Sequence, residues 1–204
     1  MRGSDLWRGS FGDAYAERNP CIAKTVQGRY ALFREMLAGD AKTASAAEIG
    51  AGAGANLLAL RALLGLSVRL VAVEPNATAR EALKKNASLD VEAVDGTTER
   101  IPLPDESVDL AFTSGVLIHV PPELLSAAMS EIFRISRRYI GCIEYFNPEL
   151  EERPYRGRGG ALWRADYGSL YLDRFPELVS VRYGFAWKRA TGLDNVTWHL
   201  LEKR

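Results

Sequence analysis

Three glycines at alternate positions, Gly50, Gly52 and Gly54, follow the short apolar run Ala46-Ala47-Glu48-Ile49, and a second apolar run, Val71-Ala72-Val73, ends on Glu74. Glycines in that setting let backbone N–H groups at a helix N-terminus come close to a ligand, and an acid closing the next strand can accept hydrogen bonds from both hydroxyls of a ribose. Together they describe a site for a nucleotide-type cofactor. The spacing leaves the cofactor open, because Gly50, Gly52 and Ala55 also satisfy the G-x-G-x-x-G/A fingerprint of a dinucleotide-binding half. Glu48 before the first glycine, the third glycine, and the acidic loop Asp95-Gly96-Thr97 after a third apolar run bear on that choice.

Groups able to move a proton cluster after the fourth and fifth apolar runs. The fourth leads into Ser114-Gly115-Val116-Leu117-Ile118-His119-Val120, where small residues admit a ligand and His119 falls near the reacting group. An imidazole there suits a general base, and it equally suits a hydrogen bond to the Pro121-Pro122 helix start; both readings stand. The fifth ends in Glu144-Tyr145-Phe146-Asn147, a carboxylate, a phenol and an amide. His119, Glu144 and Tyr145 are the catalytic candidates, although Glu144 alternates with Cys142, which allows it to point away, and Tyr145 also reads as pocket wall. Tyr145 and Asn147, with Tyr155, Arg156, Arg158, Trp163 and Arg164 of the stretch from Asn147 to Asp166, make up the candidate substrate surface. Arginines and aromatics among Gly157, Gly159 and Gly160 suit an anionic or polar small molecule, against the alternative of a solvated loop.

The elements that must position these residues follow from periodicity. Short continuous apolar runs, Ala46–Ile49, Val68–Val73, Val91–Val94, Val108–Thr113 and Tyr139–Phe146, read as buried parallel strands. Helical spacing of Leu57, Leu60 and Leu64, and of Leu124, Leu125, Ala128, Met129, Ile132 and Phe133 after the two prolines, places helices between them. Helices are also expected from about Asp13 to Glu17 and from Ala23 to Leu37, with Gly39 ending the second. Val179, Val181, Tyr183, Phe185 and Trp187 alternate with polar or small residues, as do Val196, Trp198 and Leu200 beyond a turn, which predicts a half-buried antiparallel hairpin. The expected organisation is one domain, 1–204, with a helical cap at 1–40, a doubly wound α/β core at 45–146, and a substrate loop and hairpin at 147–204.

Composition narrows the partners. The chain has 204 residues, 47% of them apolar, enough for a full core, and its 26 basic and 26 acidic residues cancel, so no electrostatic case for nucleic acid or membrane arises. The absence of a secretory apolar core predicts a cytoplasmic protein. Cys21 and Cys142 are too few for a disulfide or zinc framework and read as free thiols, so no metal is expected. Met1-Arg2-Gly3-Ser4 reads as a possible expression scar on which nothing rests.

The series Glu48, Gly50, Gly52, Gly54, Glu74 and Asp95-Gly96-Thr97 resembles the class I S-adenosylmethionine-dependent methyltransferases, whose Rossmann-like, seven-stranded, mostly parallel sheet ends with an antiparallel strand. The resemblance implies that Glu48, Gly50, Ala51, Gly52 and Asn56 lie at the methionine part of the cofactor and Glu74 and Pro75 at the ribose. It puts Asp95, Gly96 and Thr97 at the adenine, and Ser114, Gly115 and Val116 beside the donor. S-adenosylhomocysteine is the implied product. More specifically, Trp7 to Asn19 is similar to the W-x-G-x-F-G-x-x-Y-x-x-R-N opening of methylases associated with pseudaminic acid biosynthesis. Tyr15 and Arg18 share a helical face, and a helix laid over the pocket would aim Arg18 at the methionine carboxylate, with Trp7 and Phe11 packing the cap.

The expected activity is transfer of a methyl group to an N or O atom of a small polar acceptor such as an amino sugar, another sugar derivative or a natural-product intermediate. No Asp/Asn-Pro-Pro-aromatic motif of base-amino methylases follows the fourth strand. Two alternatives remain at this point: an NAD(P)-dependent oxidoreductase using the same glycine loop, and a non-catalytic S-adenosylmethionine-binding scaffold. Oligomeric state is open.

Overall fold

The computed structural model describes residues 3–19, 21, 23–38 and 42–204. Gly39, expected to end a cap helix, lies outside the described residues, as do Met1 and Arg2. The chain opens with helices α1 (Gly3–Arg8), α2 (Ser10–Arg18) and α3 (Ala23–Met36). Strand β1 (Ser45–Ile49), helix α4 (Ala55–Leu64), strand β2 (Arg69–Val73), helix α5 (Ala77–Lys85) and strand β3 (Glu92–Val94) form the first half of the core. Strand β4 (Val108–Ser114), a single 3-10 turn (Leu117–His119), helix α6 (Pro122–Ile135) and strand β5 (Ser136–Glu144) form the second. A small hairpin, β6 (Glu151–Glu152) with β7 (Trp163–Arg164), helix α7 (Tyr167–Arg174), strand β8 (Leu178–Ala186), the short α8 (Lys188–Thr191) and strand β9 (Val196–Lys203) complete it.

The main sheet has seven strands in the order β3-β2-β1-β4-β5-β9-β8. Strands β1 to β5 are parallel, and β9 runs antiparallel to β5 on one side and β8 on the other. This is the expected Rossmann-like methyltransferase architecture. Chain order reverses between β1 and β4, so a crevice opens beyond their carboxyl ends. Asp109 fastens the other end: its carboxylate accepts the N–H groups of Ala44 and Ser45 at 2.9 and 3.0 Å, holding β1 in register with β4.

Helices cover both faces. Phe33 and Met36 of α3, Leu57 and Leu60 of α4 and Leu83 of α5 pack on one face with Leu70 and Phe112. Met129 and Ile132 of α6 and Tyr167 and Tyr171 of α7 pack on the other with Val71 and Ile140. Burial of such a side chain contributes roughly 1.5–3 kcal/mol, so these two layers hold the sheet that positions the crevice. Helices α1, α5, α7 and α8 are not among those the periodicity announces. The reason is visible in α5, ATAREALKK, which buries only Ala79 and Leu83 and so shows too few apolar positions to establish a period.

The β8 alternation is present with its apolar side outward. Tyr183, Phe185 and Trp187 are 76, 59 and 52% exposed. β8 is the sheet edge; Gly184 on its opposite face makes room for the Trp198 indole, and α7 covers the strand at Leu178. On that side only Leu178 and Ala186, at the strand ends, are buried.

Candidate active site

A cavity of roughly 830 Å3, counted out to its open mouth, occupies the crevice beyond the strand ends. Its walls come from the residues after β1 (Gly50, Gly52), after β2 (Glu74, Pro75, Asn76), after β3 (Gly96 to Glu99) and after β4 (Ser114, Gly115, Val116), with His119 and Val120 at one end. Gly50, Gly52 and Gly54 all have positive φ, at 78, 51 and 79°, which side chains rarely adopt. At Gly50 a Cβ would also lie 2.6 Å from the Val116 side chain, so the loops after β1 and β4 meet only because that atom is missing. Gly54 caps α4, aiming the helix N-terminus at the cavity.

Glu74 is buried, and the backbone presents its carboxylate to the cavity. One oxygen accepts the Gly52 N–H and the other the Asn76 N–H, both at 2.8 Å. Burial nonetheless pushes its carboxyl above the usual range. Glu48 lies deeper. One oxygen accepts from the Asn56 amide at 2.6 Å, while the other is buried without a partner among the described residues, and desolvation raises its carboxyl to about 8. The Arg29 guanidinium on α3 is half-buried and acts electrostatically on Glu48, Tyr15 and Asp194. An orphaned carboxyl oxygen within the electrostatic reach of a guanidinium suits the ammonium and carboxylate of an amino acid, the methionine end of S-adenosylmethionine, just as paired acceptors on Glu74 suit a ribose.

Helices α1 and α2 lie over the cavity as a lid. Trp7, Gly12, Tyr15 and Ala16 line it from above. Asn76 donates to Asp13 at 2.9 Å and to the Trp7 carbonyl at 3.2 Å, and Arg8 reaches the Asp95 carboxylate at 2.8 Å. Gly12 is required for the fit, since a Cβ there would collide with the Trp7 carbonyl at 1.9 Å.

His119 is clamped between two rings, Trp7 at 4.9 Å and Tyr155 at 4.8 Å. Its Nδ1 lies 2.6 Å from the Ala161 carbonyl rather than at the helix start. A carbonyl can only accept, so Nδ1 carries the hydrogen and Nε2 keeps the lone pair. Burial lowers the pKa, which favours the neutral ring.

The structure brings together Tyr15, Gly50, Gly52, Glu74, Pro75, Gly96, Thr97, Ser114, Gly115, Val116 and His119 on the cavity. Others it puts elsewhere. Arg18 is exposed at the end of α2 and does not line the cavity. Asp95 is held by Arg8 and Arg80 outside the wall, and Ala51 and Asn56 are buried behind it. Glu144 lies beneath the 3-10 turn, accepting the N–H groups of Val116, Leu117 and Ile118, so its carboxylate supports the turn instead of facing the cavity. Tyr145 donates its hydroxyl to Asp194 at 2.8 Å, and burial with that bond pushes the phenol far above its usual range, which suits it to binding and not to proton transfer. Asn147 is tied to the Glu149 carbonyl at 2.7 Å, and Trp163 is buried. Tyr155 packs against His119 at a tilt of 57°, while Arg156 and Arg158 are exposed over the rings of Tyr155 and Phe11. Trp7, Gly12 and Arg29 are absent from the sequence-derived set. The Trp7 and Gly12 signal was available in the aromatic-glycine pattern of residues 7–15; Arg29 has none beyond being a charge on the buried side of a helix.

Residues 47–138 match the family model described as a methyltransferase domain. A search of the curated proteins found no match. Among solved structures, the 1,6-didemethyltoxoflavin-N1-methyltransferase of Burkholderia thailandensis is similar with a TM-score of 0.72 at 15% identity, over 98% of this chain and 88% of that one. The magnesium protoporphyrin IX methyltransferase of Synechocystis superposes with a TM-score of 0.71 at 13% identity, over 100% of this chain and 98% of that one. A putative methyltransferase of Haloferax volcanii, solved with its Trm112 activator, gives 0.72 at 13% identity, over 98 and 96% of the two chains. Domain match, fold and cavity agree: the chain carries a methyltransferase domain of class I architecture that uses S-adenosylmethionine. The oxidoreductase and scaffold alternatives are thereby set aside. No described helix is long and apolar enough to cross a membrane.

Proposed function

We propose that the enzyme methylates an N or O atom of a small polar acceptor, an amino sugar, sugar derivative or similar intermediate, with His119 as the base that takes the acceptor's proton. One observation carries this reading: an imidazole of fixed tautomer lines the cofactor cavity, held between Trp7 and Tyr155. Bound in the cavity, S-adenosylmethionine supplies an activated methyl group on its sulfonium. The protein's task is then to hold, align and deprotonate, and alignment alone can supply a large part of the rate. Glu74 takes the ribose hydroxyls, Arg29 and Glu48 the methionine carboxylate and ammonium, and the lid excludes water. A single ring-lined chamber closed by a lid and a hairpin suits a small acceptor better than a polymer.

The test is transfer of labelled methyl from S-adenosylmethionine to separated pools of small amines, alcohols and carboxylic acids, and to nucleic acid and protein. Label is expected in a small-molecule pool, and label confined to polymer would overturn the reading. Within it, Arg29→Ala is expected to weaken S-adenosylhomocysteine binding about tenfold or more, as loss of a charge-assisted pairing does. Arg18→Ala should bind like wild type. Calorimetry on both variants decides between the two arginines, and the reverse order would return the carboxylate to Arg18.

A further inference from the structure

Arg164, on the hairpin beside the cavity rather than in its wall, has an enclosed donor that no described group pairs. Arg164 is half-buried on β7, with its Nε fully enclosed and without a hydrogen-bond partner, and its side chain makes no ion pair among the described residues. Its one side-chain contact of note is with the Tyr145 ring, 5.9 Å from the centroid. Elsewhere this chain satisfies a buried guanidinium fully: Arg61 donates to the carbonyls of Leu89, Gly65, Leu66, Val68 and Asp90. An enclosed donor left unpaired is costly, and one kept in a native fold calls for a partner.

Four carboxylates of the hairpin and the segments that follow it are engaged with other groups. Glu151, its partner across the hairpin, pairs with Arg153 at 2.9 Å. Glu152 accepts the Gly160 N–H, Asp166 caps α7 through Ser169, and Asp194 is held by Lys188 and Tyr145. None of these four carboxylates pairs with Arg164. β7 packs on the 3-10 turn that carries His119, and Ala161, three residues before Arg164, supplies the carbonyl that holds His119. The hairpin that covers the base also carries the unpaired guanidinium.

Resting on the small-acceptor reading above, we infer that Arg164 anchors an anionic group of the acceptor, a carboxylate or a phosphate, and that the substrate class is a small acid bearing a separate N or O atom for methylation. A guanidinium suits this because its planar fork matches both anions bidentately. Arg156 and Arg158 raise the local potential without a fixed pairing of their own.

The experiment uses the complex with S-adenosylhomocysteine, labelled with 15N-arginine, and follows the Nε–H resonance missing from Arg164→Lys. Sodium benzoate and inorganic phosphate are titrated separately against potassium chloride of equal ionic strength. A saturable shift of that resonance with benzoate identifies a carboxylate acceptor, and one with phosphate a phosphorylated acceptor; either supports the assignment. Arg164→Gln, followed by Trp7 and Trp163 fluorescence, is expected to weaken the same anion about tenfold or more, with Arg164→Lys between it and wild type. The assignment is overturned if chloride reproduces the shift, if neither anion saturates it, or if Arg164→Gln binds the anion as wild type does. Retained S-adenosylhomocysteine binding in Arg164→Gln shows that the variant is folded and separates failure of this assignment from failure of the cofactor site.

Discussion

Replacing His119 by glutamine is expected to lower methyl transfer by about 10²–10⁴-fold, the usual span of a general base, while S-adenosylhomocysteine binding changes little. Glutamine keeps much of the volume between Trp7 and Tyr155, so the loss reports proton transfer and not collapse of the wall. The pH profile carries the sharper signature. Burial lowers the His119 pKa, so the ring stays neutral down to a pH below its ordinary value of 6.5. The acid limb of kcat/KM should accordingly fall below pH 6.5 and disappear in the variant's residual rate. Shortening the turn between Tyr155 and Arg158 should admit water and shift the wild-type limb upward. A profile flat through the acid range, with near-normal turnover in His119→Gln, would leave the acceptor to lose its proton to solvent.

Glu74→Ala should cost roughly 2–4 kcal/mol of cofactor affinity, because a hydrogen bond to a charged group contributes about 1.5–3 kcal/mol and two ribose hydroxyls are lost together. The variant also frees the Gly52 and Asn76 N–H groups, which in the native site fix the carboxylate. Glu74→Gln separates the two effects: it restores the bulk and one acceptor oxygen but turns a donor toward one of those N–H groups, and it should recover only part of the affinity. Calorimetry with S-adenosylhomocysteine measures all three proteins. Wild-type affinity in a folded Glu74→Ala protein would move the ribose to another wall.

The cofactor half of this site was legible because its demands fall on the backbone. Positive φ at Gly50 and Gly52 and a strand-ending acid at Glu74 are local requirements that sequence records directly. Side chains whose roles depend on tertiary direction were not. Arg18 and Arg29 both sit on cap helices, and only the packing of α3 sends the second inward. Glu144 reads as a catalytic carboxylate until its strand places it under the 3-10 turn, where three N–H groups take it up. Alternation in β8 correctly signals a strand, yet it cannot say that the strand is an edge whose large side chains go uncovered.

The carbonyl that fixes the His119 tautomer belongs to Ala161, within the hairpin that also carries Arg156, Arg158 and the proposed anchor Arg164. On the proposed roles, substrate choice and base readiness share one stretch of main chain. An insertion or deletion that reshaped this hairpin for a new acceptor would unseat the imidazole as well, so broad changes in acceptor range carry a penalty in turnover. Side-chain exchanges at Arg156, Arg158 and Arg164 that leave the 160–163 backbone in place avoid that penalty. They are the route by which enzymes built on this plan can diversify, and the positions where a library aimed at new acceptors should concentrate.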